Sequence, residues 1–243
     1  NTEYQGFNRS IKNDITLVSD GIDNPLFLNT AHEFNFINKL DEKAYEIKAG
    51  NWIVGKPIIV EGDLHISPGT NLEFSKNSYL IVKGSLTAIG SEVNPITLKA
   101  VSSSWKGIYV LDAEKKSHLK NVTISNLSAL EDGLLKLTGG VTFYKSDVDF
   151  ENVKINNVKA EDAINIVEST FSLNSVFINS TVSDGLDSDF SIGEVIHSEF
   201  SNIGGDALDF SGSDVAISQT SVTNVKDKAV SAGEKSNLNI KNS

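Results

Sequence analysis

One feature limits what this chain can fold into more than any other: a repeat with a period of 22 residues. Asp162-Ala163-Ile164-Asn165, Asp184-Gly185-Leu186-Asp187, Asp206-Ala207-Leu208-Asp209 and Lys228-Ala229-Val230-Ser231 follow one another at that interval. Gly139-Gly140-Val141-Thr142 fits one turn earlier at a spacing of 23. Two more apolar columns run in parallel, Ile155, Ile178, Phe200, Val222 and Phe150, Leu173, Val195, Ile217. Nearer the start, Ile58-Ile59-Val60-Glu61-Gly62 matches Leu80-Ile81-Val82-Lys83-Gly84, and Leu64-His65-Ile66 matches Leu86-Thr87-Ala88. Allowing two extra residues, Leu72-Glu73-Phe74 matches Ile96-Thr97-Leu98.

Within each repeat the apolar residues alternate, as in Val148-Asp149-Phe150 and Val215-Ala216-Ile217, the pattern of a strand with one buried face. Strands this short, separated by Gly, Asn, Asp and Ser, leave no room for crossover helices. A regular period of this length is the mark of a solenoid. The expected fold is therefore an all-β, right-handed parallel β-helix. Stacking equivalent strands pairs each backbone with the coil above and below, about 4.8 Å away, and lines like side chains into ladders. Solenoids need capped ends. Residues 1–45 lack the repeat and are expected to form an irregular N-terminal cap, with Phe34-Asn35-Phe36-Ile37 as its apolar lid. Residues 46–243 are expected to form the β-helix. Asn237-Leu238-Asn239-Ile240 reads as the start of a further coil, so the natural protein is expected to continue. Residues 126–140 break the register and read as a lateral loop.

Composition narrows the function. The 243 residues carry 32 acids and 21 bases, for a net charge of −11, and the only arginine is Arg9. Nucleic-acid binding needs a basic face to replace counterions on phosphates, and none is visible. No apolar run approaches the length of a membrane span, so no membrane insertion is expected in this segment. The absence of cysteine excludes disulfides, thiolate metal sites and a cysteine nucleophile.

Gly50-Asn51-Trp52 followed by Ile58-Ile59-Val60-Glu61-Gly62-Asp63-Leu64-His65-Ile66-Ser67-Pro68-Gly69-Thr70 resembles the first coils of pectate-lyase-like β-helix proteins. Trp105-Lys106-Gly107-Ile108 is similar to a strand that opens a later coil in many of them. The runs at 161–166, 183–190 and 205–213 resemble a bacterial surface β-helix group whose members are sometimes attached to CotH-like domains. This resemblance implies a location outside the cytoplasm: extracellular, at the cell surface or periplasmic. It implies a polysaccharide or cell-envelope glycan as partner. The superfamily hosts lyases, glycosidases, epimerases and non-catalytic modules alike.

Stacking brings distant aspartates together. Asp162, Asp184 and Asp206 form one column, Asn165, Asp187 and Asp209 a second, with Asp189 beside the middle coil. Carboxylates about 5 Å apart repel by about 1 kcal/mol or more, so something must offset that. Three readings stay open: turn-capping by Asp and Asn; a Ca²⁺ site, which needs six to eight oxygens, from Asp184, Asp187, Asp189, Asp206 and Asp209; or acid/base glycan chemistry by Asp187 and Asp209. Familiar enzyme signatures fail. The arginine base that the resemblance to pectate lyases implies has no counterpart in the repeats, and polygalacturonase-like motifs do not occur. His65 and His197 read as outward ladder residues on strands, and Trp105, Tyr109 and Tyr144 as core-edge cover or sugar-stacking rings. The favoured reading is a non-catalytic secreted or cell-surface module, a structural spacer with polysaccharide binding along one sheet and Ca²⁺ at the stacked aspartates left open; the alternative is a polysaccharide-active enzyme (lyase, epimerase or glycosidase) using the same aspartates.

Overall fold

The computed structural model describes residues 28–133, 135–233 and 235–243. The chain winds into a parallel β-solenoid of about nine turns. Its strands stack into a fifteen-stranded sheet that wraps round part of each coil, an eight-stranded sheet that closes it, and a separate two-stranded hairpin. Among the described residues no helix is long and apolar enough to cross a membrane.

The ladders read from the repeat are real contacts. Ile164 pairs with Val141 and Leu186, and Leu208 with Leu186 and Val230. Phe150, Leu173, Val195 and Ile217 form a second continuous column, and Ile155, Ile178, Phe200 and Val222 a third. Nearly all of these side chains are buried in one core that runs the length of the solenoid.

One register differs from the sequence reading. Leu72 pairs with Leu98 and Phe74 with Ala100, rather than with Ile96 and Leu98. The connection before Ile96 is two residues longer than the repeat suggested. A slip of two leaves every side chain on its original face, so alternation alone does not distinguish the two registers.

Each coil turns on left-handed corners, and most are not glycine. Lys145, Glu168, Phe190 and Gly212 occupy one corner column, with φ of 48°, 50°, 51° and 66°. Asn152, Ser175, His197 and Gln219 occupy a second, and Asn157, Ser180, Asn202 and Asn224 a third. His197 thus sits exposed at a bend between strands, not on one. Asparagine suits this conformation because its short amide bonds locally. The residue after the first corner is a serine in coil after coil. Its hydroxyl accepts the amide of the preceding coil, as Ser146 N–H to Ser169 Oγ (2.8 Å) and Ser169 N–H to Ser191 Oγ (3.1 Å). The same hydroxyl donates back to the carbonyl two residues earlier, as Ser191 Oγ to Asp189 O (2.9 Å). These serines are buried.

At the first coil, Ile37–Asp41 runs antiparallel to Ala44–Ile47, which is itself the first parallel rung. Phe34, Phe36 and Ile37 are buried against this end, and Phe36 stacks on Trp52 at 5.2 Å. The part of the expected cap over 1–27 lies outside the described residues. Of the expected loop at 126–140, the ends stay in the coil, with Leu127 paired to Val158 and Gly139 to Asp162, while Leu130–Asp132 and Leu135–Leu137 leave it and pair as an antiparallel hairpin. Leu130 and Leu137 cover Ile59, Tyr79, Ile81, Tyr109 and Leu111 in a second small core outside the solenoid.

Candidate functional site

The outer face of the eight-stranded sheet changes character along its length. One outward column, followed rung by rung, reads Ile59, Ile81, Tyr109, Thr142, Asn165, Asp187, Asp209, Ser231. A neighbouring column reads Leu111, Tyr144, Val167, Asp189, Ser211. The hairpin at 130–137 packs on the apolar half. Among the described residues no such hairpin packs on the polar half beyond Thr142.

All five aspartates expected from sequence reach this polar half. Asp187 and Asp209 are direct cross-strand partners, and Asp189 pairs with Ser211. Asn165 Nδ2 donates to Asp187 Oδ2 at 3.2 Å. Asp184 and Asp206 line the adjoining corner and are spent on structure. Asp184 Oδ1 accepts the Asp206 amide and Asp206 Oδ1 the Lys228 amide, both at 2.8 Å. The Lys228 ammonium lies 3.2 Å from Asp206 Oδ2. At this corner the turn-capping reading is the observed one, because each carboxylate satisfies an amide of the next coil.

Asp162 is the exception. It pairs in register with Asp184 and Gly139, yet the Asp184 amide is already donated to the Glu161 carbonyl at 2.8 Å. Among the described residues none donates a hydrogen bond to the Asp162 carboxyl, although the residue is only 3% exposed. Burial, reinforced by the charges of Asp187, Glu161, Asp184 and Asp189, pushes its carboxyl up to about 9. Asp187 is pushed up to about 7, again chiefly by burial, with Asp189, Asp209 and Asp184 adding to it and the Asn165 hydrogen bond opposing. Burial also raises Asp184 and Asp189. The repulsion foreseen from stacking is therefore met by protons held on the ladder and by corner amides.

Calcium would need six to eight oxygens around one point. Among the described residues no three Asp, Glu, His or Cys side chains converge in a set that could hold a metal ion. The aromatic candidates divide. Trp105 is buried, stacked on Phe74 at 3.9 Å, with its indole N–H donated to Ser125 O at 2.9 Å. Tyr109 is buried and donates to Gly139 O at 3.0 Å. Neither is free to stack on a sugar; Tyr144 is partly exposed. The histidines lie away from the ladder: His65 pairs with Glu46 and Thr87, and His118 with Asp149 and Thr87.

One polar group at this site was not singled out from sequence: the Thr142 hydroxyl, in line with Asn165, is buried with no hydrogen-bond partner. The Ser188 hydroxyl also lacks a partner, but it faces inward between Ile166 and Phe210. The Thr142 position was visible in the repeat; its lack of a partner carries no sequence signal.

Fold and site together define a parallel β-solenoid with an acidic ladder on one outer sheet. No known protein family matches this chain, and no curated protein or solved structure is significantly similar to it.

Proposed function

We propose that this chain is a non-catalytic, rigid solenoid module that works outside the cytoplasm and binds polysaccharide along the outer face of its eight-stranded sheet. The reading rests on one observation. The column Asn165, Asp187, Asp209, Ser231 offers an amide, carboxyl or hydroxyl from a partly exposed side chain on each of four successive rungs of a sheet face, at the strand spacing of about 4.8 Å. An extended polymer bearing hydroxyls at regular intervals is the partner that such a row suits. The best-formed cavities among the described residues measure about 180 and 270 Å³. Both fall below the roughly 300–1,000 Å³ of ordinary small-molecule pockets, and neither is lined by the ladder aspartates.

Affinity electrophoresis of the full chain through gels cast with neutral, acidic or amine-bearing polysaccharides tests this. Retardation by at least one, reduced in Asp187→Asn and Asp209→Asn, is expected. Free migration through all of them would end the proposal.

A second reading has one observation in its favour. Asp187, held near 7, directly faces a second carboxyl, that of Asp209, and an acid/base mechanism on glycans uses a pair of carboxyls. If it holds, Asp187→Asn abolishes cleavage of a glycan that the unaltered chain degrades.

A further inference from the structure

Taking that glycan-binding face as its starting point, we infer that Phe190 is its aromatic platform: the C–H face of a neutral sugar ring stacks on the phenyl group while the sugar's hydroxyls bond the adjoining carboxyl of Asp189. Phe190 is 70% exposed, and among the described residues no other aromatic side chain is exposed. It stands at the corner directly after the ladder strand Asp184–Asp189, whose last residue is itself partly exposed. Ile192, on the next strand and 64% exposed, widens the apolar patch. The other rings near this face are engaged. Trp105 and Tyr109 are buried, and the Lys145 ammonium lies over the Tyr144 ring at 5.1 Å.

The fold itself does not ask for phenylalanine here. The corner needs a left-handed residue in each coil, and one coil later glycine fills it. Lys145 and Glu168, the earlier residues of the column, carry charged ends that pair at 3.8 Å. Phe190 holds φ at 51°, where bulky side chains are rare. An outlier of this kind is grounds for assigning its side chain a function. The ring also has a seat. A Cβ on Gly212 would lie 2.7 Å from its Cδ1 and 2.9 Å from its Cε1, so it leans over the next coil's corner, where glycine leaves room.

The chemistry of ring and carboxyl selects the ligand. The negative face of a phenyl ring attracts the weakly positive hydrogens of C–H groups. A carboxyl accepts O–H donors whether or not it holds a proton. A pyranose with equatorial hydroxyls presents C–H groups on its faces and O–H groups round its rim. Asp187, Asp189 and Asp209 share this face, so a polymer of uronic acids is disfavoured and a neutral one fits. A second copy of the chain is a poorer occupant. As an apolar patch, Phe190 and Ile192 fall far short of the roughly 1,000 Å² that a specific protein interface buries.

Affinity electrophoresis of the full chain tests this in gels cast with hydroxyethyl cellulose, glucomannan, polygalacturonate or glycol chitosan. The expected result is retardation by at least one of the two neutral polymers, stronger than by polygalacturonate. Phe190→Gly should weaken it roughly ten-fold, and Phe190→Tyr, which keeps a ring, should retain most of it. Glycine is at ease at this corner, so Phe190→Gly should melt within a few degrees of the unaltered chain, and its loss of binding is not loss of fold. Ile53→Ala truncates an equally exposed apolar residue (71%) on the other sheet and should leave retardation unchanged. Retardation undiminished in Phe190→Gly would overturn the platform while leaving glycan binding intact. Retardation by polygalacturonate or glycol chitosan alone would overturn the neutral sugar and likewise leave glycan binding standing. A dimer in sedimentation that Phe190→Gly dissociates would assign the patch to a second copy and overturn the platform. Free migration through every gel would overturn the platform and the glycan reading together.

Discussion

Asp184 Oδ1 accepts the backbone N–H of Asp206, one coil further on, at 2.8 Å. The contact works because residue 205 is glycine, where a Cβ would fall 2.0 Å from that same oxygen. Asp206 then repeats the device on Lys228. Acid and amide are locked across coils, and this is how a column of like charges is tolerated at a corner.

The cap predicts a difference between two substitutions at Asp184. Asp184→Asn keeps an acceptor oxygen and removes a charge that opposes Asp162 and Asp187, so stability should hold or rise. Asp184→Ala leaves the amide of the buried Asp206 without its partner, which costs about 1–3 kcal/mol. Chemical denaturation of both variants checks this. Equal effects would mean that the hydrogen bond contributes nothing.

The ladder also fixes the sign of the pH dependence. Asp162 and Asp187 have native values raised above the ordinary 3.8, to about 9 and about 7. A carboxyl raised in this way binds its proton more tightly when folded. The associated stability is complete below the unfolded value and is lost as pH climbs through the native one. The melting temperature should therefore fall between pH 5 and pH 9, first as Asp187 ionises and then as Asp162 does. Asp63, held low mainly by its bonds to Lys115 and Ser85 against burial, changes only at more acidic pH and does not compensate. Asp162→Asn should flatten the upper part of the profile. At pH 8 it should gain at least about 1.4 kcal/mol, the worth of a single pKa unit. A profile flat from pH 5 to 9 in the unaltered chain would contradict the protonated ladder.

Much of this was legible in the sequence, and the failures have physical causes. The interval of 22 residues placed Ile164, Leu186 and Leu208 on one inward column because identical coils must stack in register. It misplaced Leu72 because alternation has period two and is blind to a slip of two. His197 was read as a strand residue because corners here use Asn, Ser, Lys, Glu, Phe and His as well as glycine, so glycine does not mark them. The aspartates gathered as expected. That Asp162, unlike Asp184 and Asp206 in the same corner column, lacks an amide depends on where the Asp184 N–H points, which side-chain order does not encode.

The serine column at 146, 169, 191, 213 and 236 was equally visible as a spacing of 22 or 23, and it supports a prediction of its own. Ser191 Oγ accepts the Ser169 amide and donates to Asp189 O. Ser191→Ala removes both bonds and leaves the amide of buried Ser169 unpaired, for an expected loss of about 1–3 kcal/mol. Ser191→Thr keeps the hydroxyl and should recover part of it. Urea unfolding of the two variants distinguishes a bonding role from simple packing.

Adding calcium or EDTA should leave the melting temperature unchanged, because no metal-holding group of three is present among the described residues. A ligand that binds only the native state raises stability in proportion to the logarithm of its concentration. A calcium-dependent rise that disappears in Asp187→Asn would show that the aspartates rearrange to coordinate an ion.

The hairpin at 130–137 gives the last prediction, and it separates local from global stability. Leu130 is fully buried, but in the small outer core with Ile59, Tyr79, Ile81 and Tyr109 rather than in the solenoid interior. Truncating a buried leucine ordinarily costs about 2–5 kcal/mol. Here the hairpin pairs only with itself, so it can detach while the coils beneath remain paired. In a solenoid, each unit's stability comes from its own contacts and those with its neighbours. Leu130→Ala should therefore expose Ile59, Ile81 and Tyr109 without unfolding the coils. Hydrogen exchange should show faster amides in Leu130–Asp132 and Leu135–Leu137, while those of Ile108–Leu111 and Gly139–Tyr144 remain protected. Equal acceleration throughout the eight-stranded sheet would mean that the hairpin belongs to the folding unit of the solenoid itself.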